Sequence, residues 1–236
     1  FRGYPLMLKL INVDSYYGRS KALQNFSFEV EAETISAVLG RNGVGKTTLL
    51  RTILGLTDAS SGKILFEELD ISSLETHQRA RAGIAYVPQG RMIIPDFSVR
   101  ENILMGGFAS DGLGKIPDLV PELFPYLIEN LDRAGGLLSG GQQQQLAIAR
   151  ALASKPRILL MDEPTEGIQP NIVEQIEASI LAMNTELKIT IVLVEQNVKF
   201  AKKAAHHFAM IENGVVVASD KIKNLSDEII YKHMAI

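Results

Sequence analysis

The sequence predicts an α/β fold with a mainly parallel sheet, and three observations carry that prediction. Short apolar, β-type runs alternate with helix-period stretches from one end of the chain to the other. One such run, Ile35–Leu39, ends directly in a glycine-rich turn that opens a helix-forming stretch. The chain has 236 residues, 46% hydrophobic and 22% charged, which is the balance of a globular domain able to bury a sizeable core.

Taken in order, Leu8–Val13 and Phe26–Val30 read as strands, and Ile35–Leu39 as a buried one followed by a helix over Lys46–Leu54. Ile64–Phe66 and Ile84–Val87 are short strands. Helical patterns cover Val99–Met105, Leu119–Phe124 and Gln142–Ala153, interrupted by glycine and proline. Ile158–Met161 is a buried strand, Ile172–Met183 a helix, Thr190–Val194 a strand and Val198–Ala205 a helix. Asn213-Gly214 between Phe208–Ile211 and Val215–Ala218 predicts a type I′ hairpin, a structural feature. The stretch from about Gly90 to Gly136 lacks strand signals. It predicts a helical subdomain over 90–153, inserted into a sheet core formed by 7–89 and 154–236. The first six residues precede Met7, read as a ragged start and are left out of this fold prediction.

Composition excludes several function classes. Lys+Arg 24 against Asp+Glu 27 gives a net charge of −3, so no basic excess exists to hold a nucleic-acid backbone. With no cysteine, disulfides, thiolate metal sites and a cysteine nucleophile are excluded. No apolar run approaches the roughly 18–20 residues that span a bilayer, and no secretory signal pattern opens the chain. A mean hydropathy of +0.10 points to an apolar surface kept for a partner. His77, His206, His207 and His233 show no metal-ligand spacing. Lys221–Lys223 and Lys232 read as solvated charge, with a membrane-surface patch as the minor reading.

The chemistry concentrates in three motifs. Gly40-Arg41-Asn42-Gly43-Val44-Gly45-Lys46-Thr47 fits G-x-x-x-x-G-K-[ST] between a buried strand and a helix. Its glycines let backbone N–H groups wrap phosphate oxygens, with the helix N-terminus adding positive potential. Lys46 is placed to reach the β- and γ-phosphates, and the Thr47 hydroxyl to ligate Mg²⁺. Asp162 and Glu163 end the strand Ile158–Met161; Asp162 suits the Mg²⁺ hydration shell, and Glu163 suits orienting and polarising the attacking water. Leu138-Ser139-Gly140-Gly141-Gln142 opens a helix and forms a second anion-binding nest, 23 residues before Asp162 counted from Ser139. One nucleotide has little use for two nests in one chain, whereas two copies arranged head to tail do.

Together these motifs resemble the ATP-binding subunits of ABC transporters over essentially all of Met7–Ile236. The resemblance implies a P-loop NTPase (RecA-like) core with a mainly parallel sheet, an antiparallel β subdomain and the inserted helical subdomain. It implies ATP and Mg²⁺ as the bound species, with Asn42 and Thr48 joining Gly40, Gly43, Gly45, Lys46 and Thr47 in the nucleotide site. Tyr17, just before Gly18, resembles the aromatic that stacks on adenine, the alternative being a core strand tyrosine. Gln89 resembles the loop glutamine that touches Mg²⁺ and the water. Ser139, Gly140, Gly141 and Gln142 would close on the γ-phosphate across a dimer.

Two departures stand out. Gln169 replaces the aspartate usual before Pro170, and Gln196 replaces the histidine usual at the γ-phosphate sensor. A glutamine amide donates to phosphate but cannot become cationic, so hydrolysis would be slower or lean more on Glu163.

Val194–Asn197 and Gly167–Pro170 resemble importers of the branched-chain amino acid type. Gly40–Gly45, His77–Ala80, Gln142–Gln145 and Pro164–Pro170 resemble, within that group, the subunit serving urea or short-chain amide uptake. The resemblance implies membrane permease chains, a second ATP-binding subunit forming a homo- or heterodimer, and an external solute-binding protein. It places the subunit on the cytoplasmic face of the membrane, with no nucleic-acid partner. Met92, Ile93, Ile94 and Phe97 around Pro95 would either dock a permease helix or pack inside the helical subdomain. A soluble ABC-type conformational switch, or a P-loop kinase, would be the rival classes. The switch proteins usually carry two cassettes, a coiled coil or a zinc insertion, and a kinase has no use for Leu138–Gln142.

Overall fold

The computed structural model describes residues 5–57, 59–109 and 115–234. Two sheets organise the molecule. A four-stranded antiparallel sheet runs in the order β2 (Ser20–Glu31), β1 (Leu6–Tyr17), β4 (Ala59–Phe66) and β5 (Leu69–Asp70). The six-stranded sheet runs β10 (Val215–Lys221), β9 (His207–Glu212), β3 (Ile35–Leu39), β8 (Thr190–Glu195), β7 (Ile158–Asp162) and β6 (Ile84–Val87). All its pairings are parallel except the β9–β10 hairpin at one edge. Asn213 and Gly214 both have positive φ, 47° and 77°, as a type I′ turn requires.

Alternation along the parallel strands divides the apolar residues between two faces. Ile35, Ala37 and Leu39 of β3 join one core with Leu159, Met161, Ile191 and Leu193. Val38 joins the other with Leu160, Val192 and Val194, packed under the antiparallel sheet through Leu8, Leu10, Phe26 and Val30. The helix α1 (Lys46–Leu54) supplies Leu49, Leu50 and Ile53 to this second core and ends in the left-handed Gly55. On the first face lie α7 (Pro170–Leu187), which starts on a proline, and α8 (Val198–Ala204).

Between β6 and β7 the described residues hold no strand beyond a single Ser98–Ala134 bridge; their α-helices are α3 (Val99–Met105), α4 (Val120–Leu123), α5 (Pro125–Glu129) and α6 (Gly140–Leu152). Pro125 splits the expected Leu119–Phe124 helix from its continuation, because proline cannot donate the N–H that one helix would need. Residues 110–114 of the predicted insertion lie outside the described residues. Ser98 caps α3 and Ser139 caps α6, each in a reciprocal box with Glu101 and Gln142 respectively.

Several elements differ from expectation. β1 begins at Leu6, which pairs with Glu31, and the Pro5 carbonyl accepts from the Ala32 N–H. Leu6 therefore belongs to the sheet and Pro5 is hydrogen-bonded beside it, so neither is a ragged start; residues 1–4 lie outside the described residues. Two further helices are present: α2 (Thr76–Arg81) buries only Arg79, so apolar periodicity passes over it, whereas α9 (Asp227–Met234) rests the partly buried Ile229, Ile230 and Met234 on the first core. In α2 the buried Arg79 donates to the carbonyls of Thr52 and Ile53, satisfying the C-terminal end of α1.

Candidate functional site

The Gly40–Thr47 turn joins β3 to α1, and close approach dictates its glycines. A Cβ on Gly40 would lie 2.6 Å from the Ile211 carbonyl oxygen. On Gly45, whose φ is 109°, it would lie 2.7 Å from that of Ala22. Lys46 opens α1 and is 4% exposed. Its Nζ donates to the carbonyls of Gly40 at 2.9 Å and Arg41 at 3.0 Å, and stands 3.1 Å from Glu163 Oε1. The next residue, Thr47, donates through its hydroxyl to Asp162 Oδ1 at 3.2 Å.

Strand β7 delivers the acidic half. Asp162 is completely buried, and Tyr86 donates to its second oxygen at 3.2 Å. Burial pushes the Asp162 carboxyl upward; the bonds from Thr47 and Tyr86 pull it back, and the neighbouring Glu163 adds to the rise. Burial and the Asp162 charge together push the Tyr86 phenol up. Consecutive strand residues point to opposite faces. Glu163 escapes that rule because the ladder stops at Asp162 and its own φ is 45°. The bend turns its carboxylate toward Lys46 while Asp162 faces Thr47.

Gln196, just beyond β8, completes the cluster. Its Nε2 lies 2.6 Å from Asn42 Oδ1 and 3.0 and 2.9 Å from the two Glu163 oxygens. A cavity of about 300 Å³ is lined by Ala22, Asn42, Gly43, Thr48, Gln89 and Glu163 among others, with Gly45, Lys46 and Thr47 at its base. A larger groove of about 560 Å³ lies between β1, β2 and the β9–β10 hairpin, but it gathers none of these residues.

Of the remaining candidates, only Gln89 reaches the cavity. Gln89 lines the cavity with its amide donating to Glu166 at 2.8 Å. Tyr17 is 63% exposed with the Arg51 guanidinium 5.9 Å from its ring centroid, so it is not a core strand tyrosine. Ser139, Gly140, Gly141 and Gln142 do not line the cavity. Ser139 is exposed at the start of α6, and a Cβ on the buried Gly141 would lie 2.7 Å from Ile172 Cγ2 of α7. His206 Nδ1 accepts the Ile35 N–H, and His233 pairs with Glu212. Among the described residues no cluster of three or more histidines, aspartates and glutamates could hold a metal ion by itself. The Thr47 hydroxyl and the Asp162 carboxylate instead offer hard oxygen donors beside the phosphate turn, a set that fits Mg²⁺ arriving with a nucleotide.

Three contacts escape the sequence. Glu195 closes β8 as a buried carboxylate, 3% exposed, and its one signal is an ionisable residue ending an apolar run. Glu166 holds Gln89. Arg150 of α6 donates to the carbonyls of Met92 at 2.7 Å and Arg91 at 3.0 Å, just past Gln89.

A family model described as ABC transporter matches residues 23–166, a span that holds Gly40–Thr47, Ser139–Gln142 and Asp162-Glu163. The chain is an ABC transporter ATP-binding domain. ABC ATP-binding cassettes couple ATP hydrolysis to transport, and this one is an ATPase of that kind. It is 43% identical over 216 residues to the high-affinity branched-chain amino acid transport ATP-binding protein of Pseudomonas aeruginosa, covering 91% of this chain and 92% of that one. It is 35% identical over 213 residues to a probable branched-chain amino acid transport ATP-binding protein of Archaeoglobus fulgidus, covering 89% and 90%. Its fold matches a dimeric ATP-binding cassette in a post-hydrolysis state bound to ADP and Pi. That match has a TM-score of 0.79 and 25% identity, and covers 92% of this ATP-binding domain and 99% of the other. No helix among the described residues of the domain is long and apolar enough to cross a membrane.

Proposed function

We propose that this chain is the ATP-hydrolysing subunit of an ABC importer. It would act at the cytoplasmic face of the membrane as one half of a head-to-tail dimer. The convergence of Lys46, Thr47 and Glu163 on one cavity, with Asp162 bonded to Thr47 and Gln196 to Glu163, carries this reading. The exposed Ser139 cap lies outside the cavity, as expected of a nest that serves the nucleotide of a second subunit. The similarity to a dimeric cassette supports the same arrangement.

In this mechanism Lys46 binds the β- and γ-phosphates, and Tyr17 stacks on the adenine. Mg²⁺, held by Thr47, Asp162 and the Gln89 side, would neutralise phosphate charge. Glu163 orients a water toward the γ-phosphorus and takes its proton as the new P–O bond forms and the bond to the β-phosphate oxygen breaks. Gln196 holds the Glu163 carboxylate and faces the phosphate end of the cavity through Asn42. The permease would rest on Met92, Phe97 and Leu137, which are 63%, 37% and 67% exposed around the exposed Pro95.

For the solute, similarity to the Pseudomonas and Archaeoglobus proteins favours branched-chain amino acids. A second reading, urea or short-chain amides, rests on the sequence resemblance of Gly40–Gly45, His77–Ala80, Gln142–Gln145 and Pro164–Pro170 alone. An external solute-binding protein would deliver either.

Labelled leucine, urea and acetamide uptake, compared between cells carrying the wild type and Glu163→Gln, separates the two solutes. Loss of leucine uptake supports the first reading, and loss of urea or acetamide uptake alone supports the second. In parallel, the purified variant is expected to bind ATP while its turnover falls by about 100-fold or more. Unchanged turnover would remove Glu163 from the reaction, and unchanged uptake of all three solutes would count against both substrate readings.

A further inference from the structure

Glu195 takes no part in the mechanism above, yet it occupies a demanding place. Both of its carboxylate oxygens are engaged. Oε1 accepts from the Thr165 hydroxyl at 2.8 Å and from the Thr165 N–H at 3.3 Å. Oε2 accepts the N–H groups of Gln196 and Asn197, each at 3.2 Å. Thr165 stands two residues after Glu163, and Gln196 directly follows Glu195. A single buried side chain therefore ties the segment that carries Glu163 to the segment that carries Gln196. Those two side chains meet at 2.9–3.0 Å, on the cavity side of the same junction.

Burying a carboxylate costs several kcal/mol unless hydrogen bonds compensate it. Here burial pushes the carboxyl up, and donors from Thr165, Asn197 and Gln196 pull it back. An apolar residue would avoid that penalty but would strip the acceptor from four donors. Glutamine cannot replace it in kind. Its amide turns one acceptor oxygen into an NH₂ group, which would confront either the Thr165 N–H or the N–H pair of Gln196 and Asn197. The arrangement needs an acceptor at both ends, and only the carboxylate supplies it.

We infer that Glu195 is a positioning residue for ATP hydrolysis: it fixes the backbone of Gln196 against that of Thr165, so that the Gln196 amide holds Glu163 at the cavity. This rests on the proposed roles of Glu163 and Gln196. Lys46, Thr47 and Tyr17 do not contact Glu195 in the hydrogen bonds above, so nucleotide affinity is not its province.

The test is steady-state ATPase kinetics on the full chain, with thermal unfolding of each variant as a control. The variants are Glu195→Gln, Thr165→Val, Gln196→Ala, Glu163→Gln and the double variant Glu195→Gln/Gln196→Ala. Glu195→Gln is expected to lower kcat about tenfold while KM for ATP stays within about twofold. Thr165→Val keeps the side-chain shape and loses one hydroxyl bond, so it should show the same pattern at about threefold. In the Gln196→Ala background, Glu195→Gln should change kcat by less than about twofold, since it acts through the missing amide. Full additivity in the double variant, or an unchanged kcat in Glu195→Gln, would overturn the inference. A matched rise in KM would do the same. If Glu163→Gln and Gln196→Ala both left turnover unchanged, the catalytic reading itself would fall, and the inference with it. If those two lowered turnover while Glu195→Gln and Thr165→Val did not, only the inference would fall.

Discussion

Arg150 allows a quantitative test of how the Gln89 loop keeps its shape. Directly after Gln89, the residues Gly90, Arg91 and Met92 all have positive φ, at 75°, 69° and 46°. The Met92 N–H donates to the Gly90 carbonyl at 2.7 Å, a tight three-residue turn. For residues with a Cβ such a backbone costs roughly 1–2 kcal/mol each, so Arg91 and Met92 together carry about 2–4 kcal/mol. The Arg150 guanidinium bonds the carbonyls of both strained residues, at 3.0 and 2.7 Å. A charge-assisted bond contributes about 1.5–3 kcal/mol, and solvent screening at this half-buried site lowers that to about 1–1.5 each. Two such bonds, about 2–3 kcal/mol, offset most of the strain. Lysine has a point charge instead of a fork, so Arg150→Lys keeps one bond and forfeits about 1–1.5 kcal/mol. The loop should then hold its working geometry about 5- to 12-fold less well. Steady-state ATPase assays should show kcat falling by that factor for Arg150→Lys and by more for Arg150→Ala, with KM for ATP nearly constant. Hydrogen exchange at the Met92 amide should speed up in step. If Arg150→Ala kept kcat within about twofold of wild type, Arg150 would not be what offsets the strain of Arg91 and Met92.

Three further outcomes follow from local geometry. A Cβ on Gly106 would lie 1.8 Å from the Arg150 carbonyl oxygen, so Gly106→Ala must push α3 from α6 and should cost about 3 kcal/mol or more in a denaturant titration. Ser98→Ala removes the α3 cap, and about 1 kcal/mol of stability with it. The same Ser98 contacts hold the Glu101 carboxyl below its usual range. Their contribution is complete above the unfolded carboxylate value of about 4.3 and disappears as pH falls through the lower folded value, so the gap between wild type and Ser98→Ala should narrow in acid. Tyr17→Ala should raise KM for ATP about 2- to 12-fold with kcat unchanged, the measure of one lost stacking partner.

The parts of the site that lie within one local element were legible in the sequence. Gly40–Thr47 announced itself because strand, glycine spacing, lysine and threonine are contiguous, and Asp162-Glu163 because four apolar residues lead into them. The Asn213-Gly214 turn was equally plain. What stayed hidden depends on chain segments meeting in space. The sequence assigns Gln196 to a phosphate, yet its amide joins Asn42, 154 residues away, to Glu163, 33 residues away. No local pattern encodes that contact. Glu195 and Arg150 escape the sequence for a related reason: their partners are mostly backbone atoms, which have no residue identity to read. Helix α2 is hidden because its one buried residue is an arginine, so an apolar periodicity passes over it. Apolar periodicity ends the first strand at Val13 because beyond it the inward position is the polar but fully buried Ser15.

The β9–β10 turn has a bearing on how the protein is made. The Gly214 N–H donates to Val44 inside the phosphate turn at 2.9 Å, and the Gly214 carbonyl accepts from the Gln24 N–H at 2.9 Å. A Cβ on Gly214 would lie 2.3 Å from the Ala22 carbonyl oxygen, so the tip of the hairpin is wedged against β2 beside the turn. The Gly40–Thr47 turn thus lacks this brace during synthesis until residue 214 follows. Synthesis proceeds from the N-terminus at roughly 5–20 residues per second, so some 170 residues of elongation separate the two, on the order of ten to thirty seconds. During that interval the nascent chain carries the ATP-binding motif without its finished shape.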